Sequence, residues 1–445
     1  MLPRPSRTRA WNVLMTLALS LVILAIAPQN ASAQANDISL IRQNATKGDA
    51  AEQARLGRMY YEGNGVERDP IEAFQWFTKS AEQGNAAGEL GMADCYYYGL
   101  ATPKDIGKAL EFITKAAEQG DADAQCKLGT MHANGVGVPV SYSEARKWYT
   151  RSADQGYSTA YVALGIVSTE GKGASKDPAA AVQWYTKAAE KGDATGQYLL
   201  GVAYEAGQGV TQDYAKAVEW FSKAAAKSSE EGARAQVRLA RLYLAGKGVS
   251  KDVDRAGDLL RRAVWFKNAE AMRLLGDLSA QGIEGAANKV AALSYYVQAG
   301  EVGDQQGQYL AGRAYYAGVG TDKDRAKALE WFLKAGAQGN LEAQMYAAAM
   351  YRDGDGTTKD LAKAAAWLNK AAELGHPGSQ FELARMYAKG EGVPQNEVLA
   401  FAWYCLASEA NYPKAKDNAE VLYSRLTADQ ITEASATFVK FRKPK

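Results

Sequence analysis

Apolar and small residues recur along this chain with a fixed period. Starting at Trp76, one column is filled by Phe112, Trp148, Trp184, Trp220, Leu259, Tyr295, Trp331, Trp367 and Trp403, each 36 residues after the last except for one step of 39. Three positions before it stands alanine in every unit, from Ala73 and Ala109 to Ala364 and Ala400, and four after it a small residue, from Ser80 and Ala116 to Ala371 and Ala407. Spacings of three and four lie on one stripe of an α-helix, where small residues admit a neighbouring helix and the aromatic ring fills the gap. A second stripe carries Leu56, Met92, Leu128, Leu164, Leu200, Leu239, Leu275, Ala311, Ala347 and Leu383, usually with tyrosine four positions later. Each unit therefore predicts two helices.

Punctuation between the stripes supports this. The first helix meets glycine in all ten units, from Gly63 and Gly99 to Gly354 and Gly390, the residue that closes a helix at positive φ without steric cost. The turn is commonly Gly-x-Gly-Val, as in Gly207-Gln208-Gly209-Val210, and leads to Asp69, Asp105, Asp177, Asp213, Asp252, Asp324 or Asp360, predicted N-caps of the second helix. Pro70 and Pro178 follow two of them at the first helical position. The second helix stops at Gly84, Gly120, Gly156, Gly192, Gly303, Gly339 or Gly375, usually followed by Asp, Asn or His that can cap the next unit. No segment alternates with period two. The expected architecture is an all-α solenoid of ten antiparallel helix pairs, because a period of this size builds a stack rather than a globule.

The expected domains are residues 1–35 as a signal peptide, 36–48 as an amino-terminal capping half-repeat with Leu40 in the aromatic column, 49–411 as ten repeats, and 412–445 as carboxy-terminal capping helices, including a Thr427-Ala428-Asp429-Gln430 capping box. Residues 1–35 carry Arg4, Arg7 and Arg9, the apolar run Val13 to Ala27, and Ala31-Ser32-Ala33 as a small-x-small site, with cleavage expected after Ala33 or Ala35. The run is short of the ~20 residues that span a bilayer, so retention as an anchor is the weaker reading. A periplasmic or secreted protein is expected.

The formal charge of +2 becomes −1 once residues 1–33, with three arginines and no acid, are removed from 52 basic and 50 acidic residues. Nothing there recommends nucleic acid as a partner. Cys95, Cys126 and Cys405 are an odd count, and the first two lie about five columns out of register, roughly 7 Å along a helix axis, so all three are expected to be small buried thiols.

The composite Ala-x-x-x-Leu-Gly-x-x-Tyr-x-x-Gly-x-Gly-Val-x-x-Asp-x-x-Lys-Ala-x-x-Trp-Tyr-x-Lys-Ala-Ala-x-x-Gly resembles the Sel-1-like repeat, a relative of the tetratricopeptide repeat, over roughly residues 36–425. It can be read through Leu200-Gly201, Gly207-Gln208-Gly209-Val210 and Lys216-Ala217-Val218-Glu219-Trp220-Phe221-Ser222-Lys223-Ala224-Ala225. The resemblance implies a right-handed superhelix serving as an adaptor for other proteins in cell-envelope assembly, secretion or signalling, without chemistry of its own. Some cysteine-rich members are associated with β-lactam binding, but this chain lacks their paired cysteines.

Catalysis is not expected. His132 occupies the tyrosine column and His376 stands beside Pro377 at a helix start; no His/Cys/Asp/Glu cluster has metal spacing and no nucleophile motif stands out, so no cofactor is expected. Gly-x-Gly has neither a strand before it nor Lys-Ser/Thr after it, which argues against a phosphate loop.

Partner binding is expected to show as a departure from the repeat. The sixth unit carries Trp265 and Phe266 where others have Glu82-Gln83 or Glu118-Gln119, flanked by Arg261, Arg262 and Lys267, and follows a three-residue insertion within Lys227 to Ala235. Two readings compete: the pair folds back over the inserted loop and replaces packing lost at Leu259, or it stays exposed as a hot spot with arginines at its rim. A second candidate surface is the inner face of the first helices, where Arg58, Tyr61, Tyr97, Arg241, Arg313, Tyr316, Arg352 and Arg385 suit an acidic or extended peptide.

The function expected is an exported protein-interaction scaffold binding partner proteins or extended peptides. One alternative is a periplasmic cell-wall or β-lactam binder with hydrolase activity. The other is an endoplasmic-reticulum adaptor, which glycosylation at Asn44-Ala45-Thr46 would favour.

Overall fold

The computed structural model describes residues 38–282 and 286–442, so the signal segment lies outside the described residues. Among the described residues there are 23 helices, numbered α1 to α23 in chain order, and no strand. The chain is an all-α solenoid of paired helices, and it divides into two compact units, before and after the Gln212–Asp213 bond. The first unit runs from α1 (38–46) to α10 (Ala194–Ala206), the second from α11 (Tyr214–Ala225) to α23 (Ala428–Phe441).

The pairing within a repeat is set by its small residues. In α2 (Ala50–Glu62) and α3 (Pro70–Glu82), the buried hydroxyl of Ser80 near the end of α3 donates to the carbonyl of Ala50 at the start of α2, at 2.6 Å, so the helices run antiparallel. Ser152 repeats this bond to Ala122, also at 2.6 Å. Most helices are 13 residues long, as α2 is. At 1.5 Å per residue that is roughly 20 Å, and no described helix is long and apolar enough to cross a membrane.

The deepest ring is not the one the sequence pattern suggested. Phe77, Tyr149, Tyr185, Phe221, Phe332 and Tyr404, one residue after the Trp column, are buried in the core. Phe77 and Phe332 sit where a Cβ on Gly57 or Gly312 would meet the ring at 2.7 and 2.8 Å, which explains the Leu-Gly pairs of the first helices. The Trp column is mostly half-buried, closed over by a cation three residues on: Lys79 lies 4.1 Å from the Trp76 ring centroid, Arg151 4.5 Å from Trp148, Lys187 4.3 Å from Trp184 and Lys223 3.9 Å from Trp220. Helical geometry places positions i and i+3 side by side, so the lysine stem covers the indole while its ammonium stays wet. Trp331 and Trp403 alone are buried among the described tryptophans of the column. The same displacement holds in α1: Leu40 is 54% exposed, whereas Ile41 is 2% exposed and packs with Ala45 and Leu56.

The caps follow the sequence. Asp69, Asp105, Asp177, Asp213, Asp252, Asp324 and Asp360 each accept backbone N–H groups at the start of a second helix, and His376 caps a first helix through its ring. Thr427 and Gln430 form the capping box of α23. Gly-x-Gly has a steric purpose: Gly209 holds φ +74° and a Cβ there would meet the carbonyl oxygen of Pro178 at 2.1 Å, so the turn presses on the start of the preceding repeat's second helix. The three-residue insertion is no loop. It lengthens α12 (Glu230–Ala245) to 16 residues, capped by Ser229, since turning insertion residues into helix satisfies their backbone groups.

Candidate functional site

Neighbouring repeats are stitched by buried amides. In a regular unit, a glutamine seven places after the Trp column reaches back thirty residues to a partner on its own first helix: Gln83 donates to Gln53 at 2.7 Å, Gln155 to Gln125 at 2.8 Å, Gln338 to Gln308 at 2.8 Å, and Gln119 to Glu89 at 2.6 Å. The first-helix glutamine then donates across the seam, Gln53 to the carbonyl of Ala45 at 3.0 Å, Gln125 to Ala117 at 3.0 Å and Gln308 to Gly300 at 3.1 Å. Each buried amide thereby uses both its ends.

The sixth unit departs from this seam twice. Leu259 replaces the tryptophan, so Arg262, which holds the covering-cation position, has no indole beneath it and instead donates to the carbonyl of Ala225 at 3.2 Å. Phe266 replaces the ladder glutamine. Gln236, thirty residues earlier, still donates to Ala225 at 2.9 Å, but its Oε1 is buried with no hydrogen-bond partner. Gln344, paired in sequence with Leu374, shows the same orphaned Oε1, which ties the loss to the missing amide; there Trp367 and its cation Lys370 remain in place at 4.0 Å.

These departures open a cavity of about 750 Å³ between the end of α11, the flank of α12 and the end of α13 (Val253–Trp265). Phe266 and Gln236 line it together with Arg261, Arg262, Lys227 and Ser228. Trp265 does not fold back: it is 85% exposed at the cavity mouth, in a column that elsewhere carries Glu82 or Glu118. Phe266 is half-buried, and Lys267 ends the turn at φ 54° where most units have glycine. Arg261 pairs with Asp258 at 2.8 Å, whereas Lys227 and Arg262 form no ion pair among the described residues.

The row on the first helices is arranged differently. Arg58 pairs with the buried Asp94 at 3.1 Å, beneath Lys127 at 2.9 Å, and lies 5.4 Å over Tyr61. Arg241 pairs with Glu270, Arg352 with Asp353 at 2.8 Å, and Arg385 with Glu382 and Glu391 at 3.0 and 2.8 Å. Arg313 lies 5.7 Å over Tyr309, Tyr316 lies under Arg325 at 3.5 Å, and Tyr97 meets Tyr98 edge-on at 5.0 Å. These arginines and tyrosines are thus occupied with each other and with carboxylates of the same surface.

Sequence reading missed Gln236, Lys227 and Ser228. The signal was present in the glutamine column: thirty residues on stands glutamine for Gln53, Gln125 and Gln308, but Lys227 for Gln197, Leu374 for Gln344, Ala410 for Gln380 and, as the one aromatic, Phe266 for Gln236. Burial pushes the thiols of Cys95 and Cys126 up to about 12 and that of Cys405 to about 11, which favours their protonated form.

The Sel1 repeat family model matches ten times, over residues 53–85, 86–121, 122–157, 158–193, 194–229, 233–264, 269–304, 305–340, 341–376 and 377–412. The chain belongs to the Sel1 repeat family. Among solved structures, this Sel1 repeat protein is 31% identical to c5321, a protective antigen present in uropathogenic Escherichia coli strains that displays an SLR fold; the match covers 91% of this chain and 94% of the antigen, with a TM-score of 0.54. It is 38% identical to a Sel1 repeat protein from Oxalobacter formigenes, covering 49% of this chain and 89% of that one, with a TM-score of 0.47. A search of curated proteins found no match. Sel1 repeats form a scaffold suited to protein–protein interaction.

Proposed function

We propose that this Sel1 repeat protein is an exported scaffold of the cell envelope that captures partner proteins or extended peptides at its sixth unit. One observation carries the reading: Trp265 stands 85% exposed beside a cavity with Arg262 and Lys227 at its edge. A large exposed aromatic is unfavourable in water, and Trp and Arg are the residues that dominate binding energy where they are desolvated by a partner. Export is supported by the charged, apolar and small-residue order of residues 1–33. The description of the related antigen c5321 as protective accords with a protein reached from outside the cell.

Site-specific photocrosslinking from position 265 in living cells, with exposed position 82 as control, tests the scaffold reading. A defined protein captured from 265 and not from 82 supports it; a captured glycan strand, or nothing, overturns it. Amino-terminal sequencing of the mature protein tests export, which requires a start at position 34 or 36 in an extracytoplasmic fraction.

A further inference from the structure

The cavity beneath Trp265 has three chemical demands, and together they describe an occupant. Its walls carry Lys227, Arg261 and Arg262 against the single acid Asp258, in a chain whose formal charge is only +2 over 445 residues. Its mouth is the indole face of Trp265, 85% exposed. Its wall includes Gln236, 2% exposed, whose Oε1 accepts no hydrogen bond. A buried acceptor without a donor is unfavourable, so a ligand that supplies an N–H there recovers what Phe266 removed.

We infer that this cavity recognises an acidic peptide segment, with an apolar side chain over Trp265, a carboxylate between Arg262 and Lys227, and an amide N–H donated toward Gln236. The inference deepens the scaffold reading and rests on it. Peptide is the class that unites the three groups: a carboxylate matches the cations, an apolar side chain matches the indole, and an amide supplies the donor. The backbone of Ala225 contributes by position. Its carbonyl already receives both Gln236 and Arg262, which holds the acceptor and the cation side by side along one wall. At Gln344 the acceptor is equally orphaned, but Lys370 is held over Trp367 and no free indole stands beside it, so that seam lacks the other two demands.

The Phe266→Gln variant separates recognition from folding, because it restores the ladder amide that Gln83 and Gln155 supply in regular units. A display library of random dodecapeptides is panned against the purified full chain and against Phe266→Gln, Trp265→Ala and Arg262→Gln, each first checked by helical circular dichroism. Expected are sequences in which Asp or Glu neighbours Leu, Ile or Phe, with affinity falling at least tenfold in Phe266→Gln and Trp265→Ala and at least fivefold in Arg262→Gln. Neutral or basic sequences, or affinity indifferent to these variants, or no enrichment at all, overturn the inference. The scaffold reading fails separately: a protein crosslinked from 265 alongside neutral or basic selected peptides sinks the acidic specificity and leaves the scaffold standing.

Discussion

Gln83 donates from Nε2 to Oε1 of Gln53 at 2.7 Å, thirty residues back, and Gln53 passes its own Nε2 to the carbonyl of Ala45 at 3.0 Å. Two side chains, exposed Gln83 and buried Gln53, thus join the cap and the first repeat into one chain of hydrogen bonds. Such chains recur wherever the ladder glutamine recurs, and they give the seams between repeats a polar, directional component beside their apolar packing.

The ladder predicts unequal responses to one substitution. Gln125→Leu removes two hydrogen bonds, one from Gln155, which keeps the Gly120 carbonyl, and one to the Ala117 carbonyl, which keeps the Gly120 N–H; at ~0.5–1.5 kcal/mol each it should lower stability by about 1–3 kcal/mol. Gln236→Leu removes less, because its Oε1 has no partner and Ala225 keeps Arg262, and should lower stability by less than ~1 kcal/mol. Urea denaturation midpoints decide; equal losses would remove the ladder as a source of seam stability.

The two exposures of tryptophan predict opposite outcomes. Trp265→Ala, at a residue 85% exposed, should change stability by no more than ~0.5 kcal/mol while abolishing capture at the sixth unit. Trp331→Ala, at a residue 6% exposed, should lower stability by about 3–5 kcal/mol. Thermal melts of the two variants check this, and a large loss at position 265 would show that Trp265 packs in solution.

Glycines at positive φ differ in what surrounds them. Gly84 holds φ +71° with nothing within 4 Å of a built Cβ, so Gly84→Ala meets only the backbone preference, about 1–2 kcal/mol. Gly209→Ala adds a clash with the Pro178 carbonyl at 2.1 Å and should exceed that cost by at least ~1 kcal/mol. Chemical denaturation of both variants gives the comparison, and similar losses would show that the turn yields.

His376 predicts a pH dependence. Its Nδ1 accepts from the backbone N–H of Ser379 at 3.0 Å, capping α20 (Pro377–Lys389), and burial lowers its pKa from 6.5, with Glu342 opposing. A folded pKa below the unfolded one means the unfolded chain binds the proton first, so the contribution is complete above about pH 6.5 and is lost as pH falls toward the folded value. His376→Asn keeps a cap without a titrating ring. Melting temperatures between pH 7.5 and 5 should fall more for the parent than for this variant; parallel curves would dismiss the histidine as the source.

The helices, their caps and the period were legible because they depend on local spacing: Asp177 before Pro178, or Gly207 after a 3.6-periodic stripe, carries its meaning within a few residues. Depth was less legible. The Trp column looked like core, yet Phe77 rather than Trp76 is enclosed, since both lie on one side of the helix and only the neighbouring first helix, with Gly57, decides which ring enters. The insertion looked like a loop, and it became three residues of α12 because Ser229 found a cap position there.

By itself the sequence determined the all-α repeat, the number of helix pairs and where most of the helices begin and end, since these follow from backbone hydrogen bonding and residue propensities that act over one or two turns. The tertiary structure decided what the sixth unit exposes. Whether Trp265 is covered, whether Arg262 finds a ring and whether Gln236 finds a donor depend on side chains about thirty residues apart meeting across a seam, and burial and hydrogen-bond satisfaction are properties of that meeting and of no residue alone.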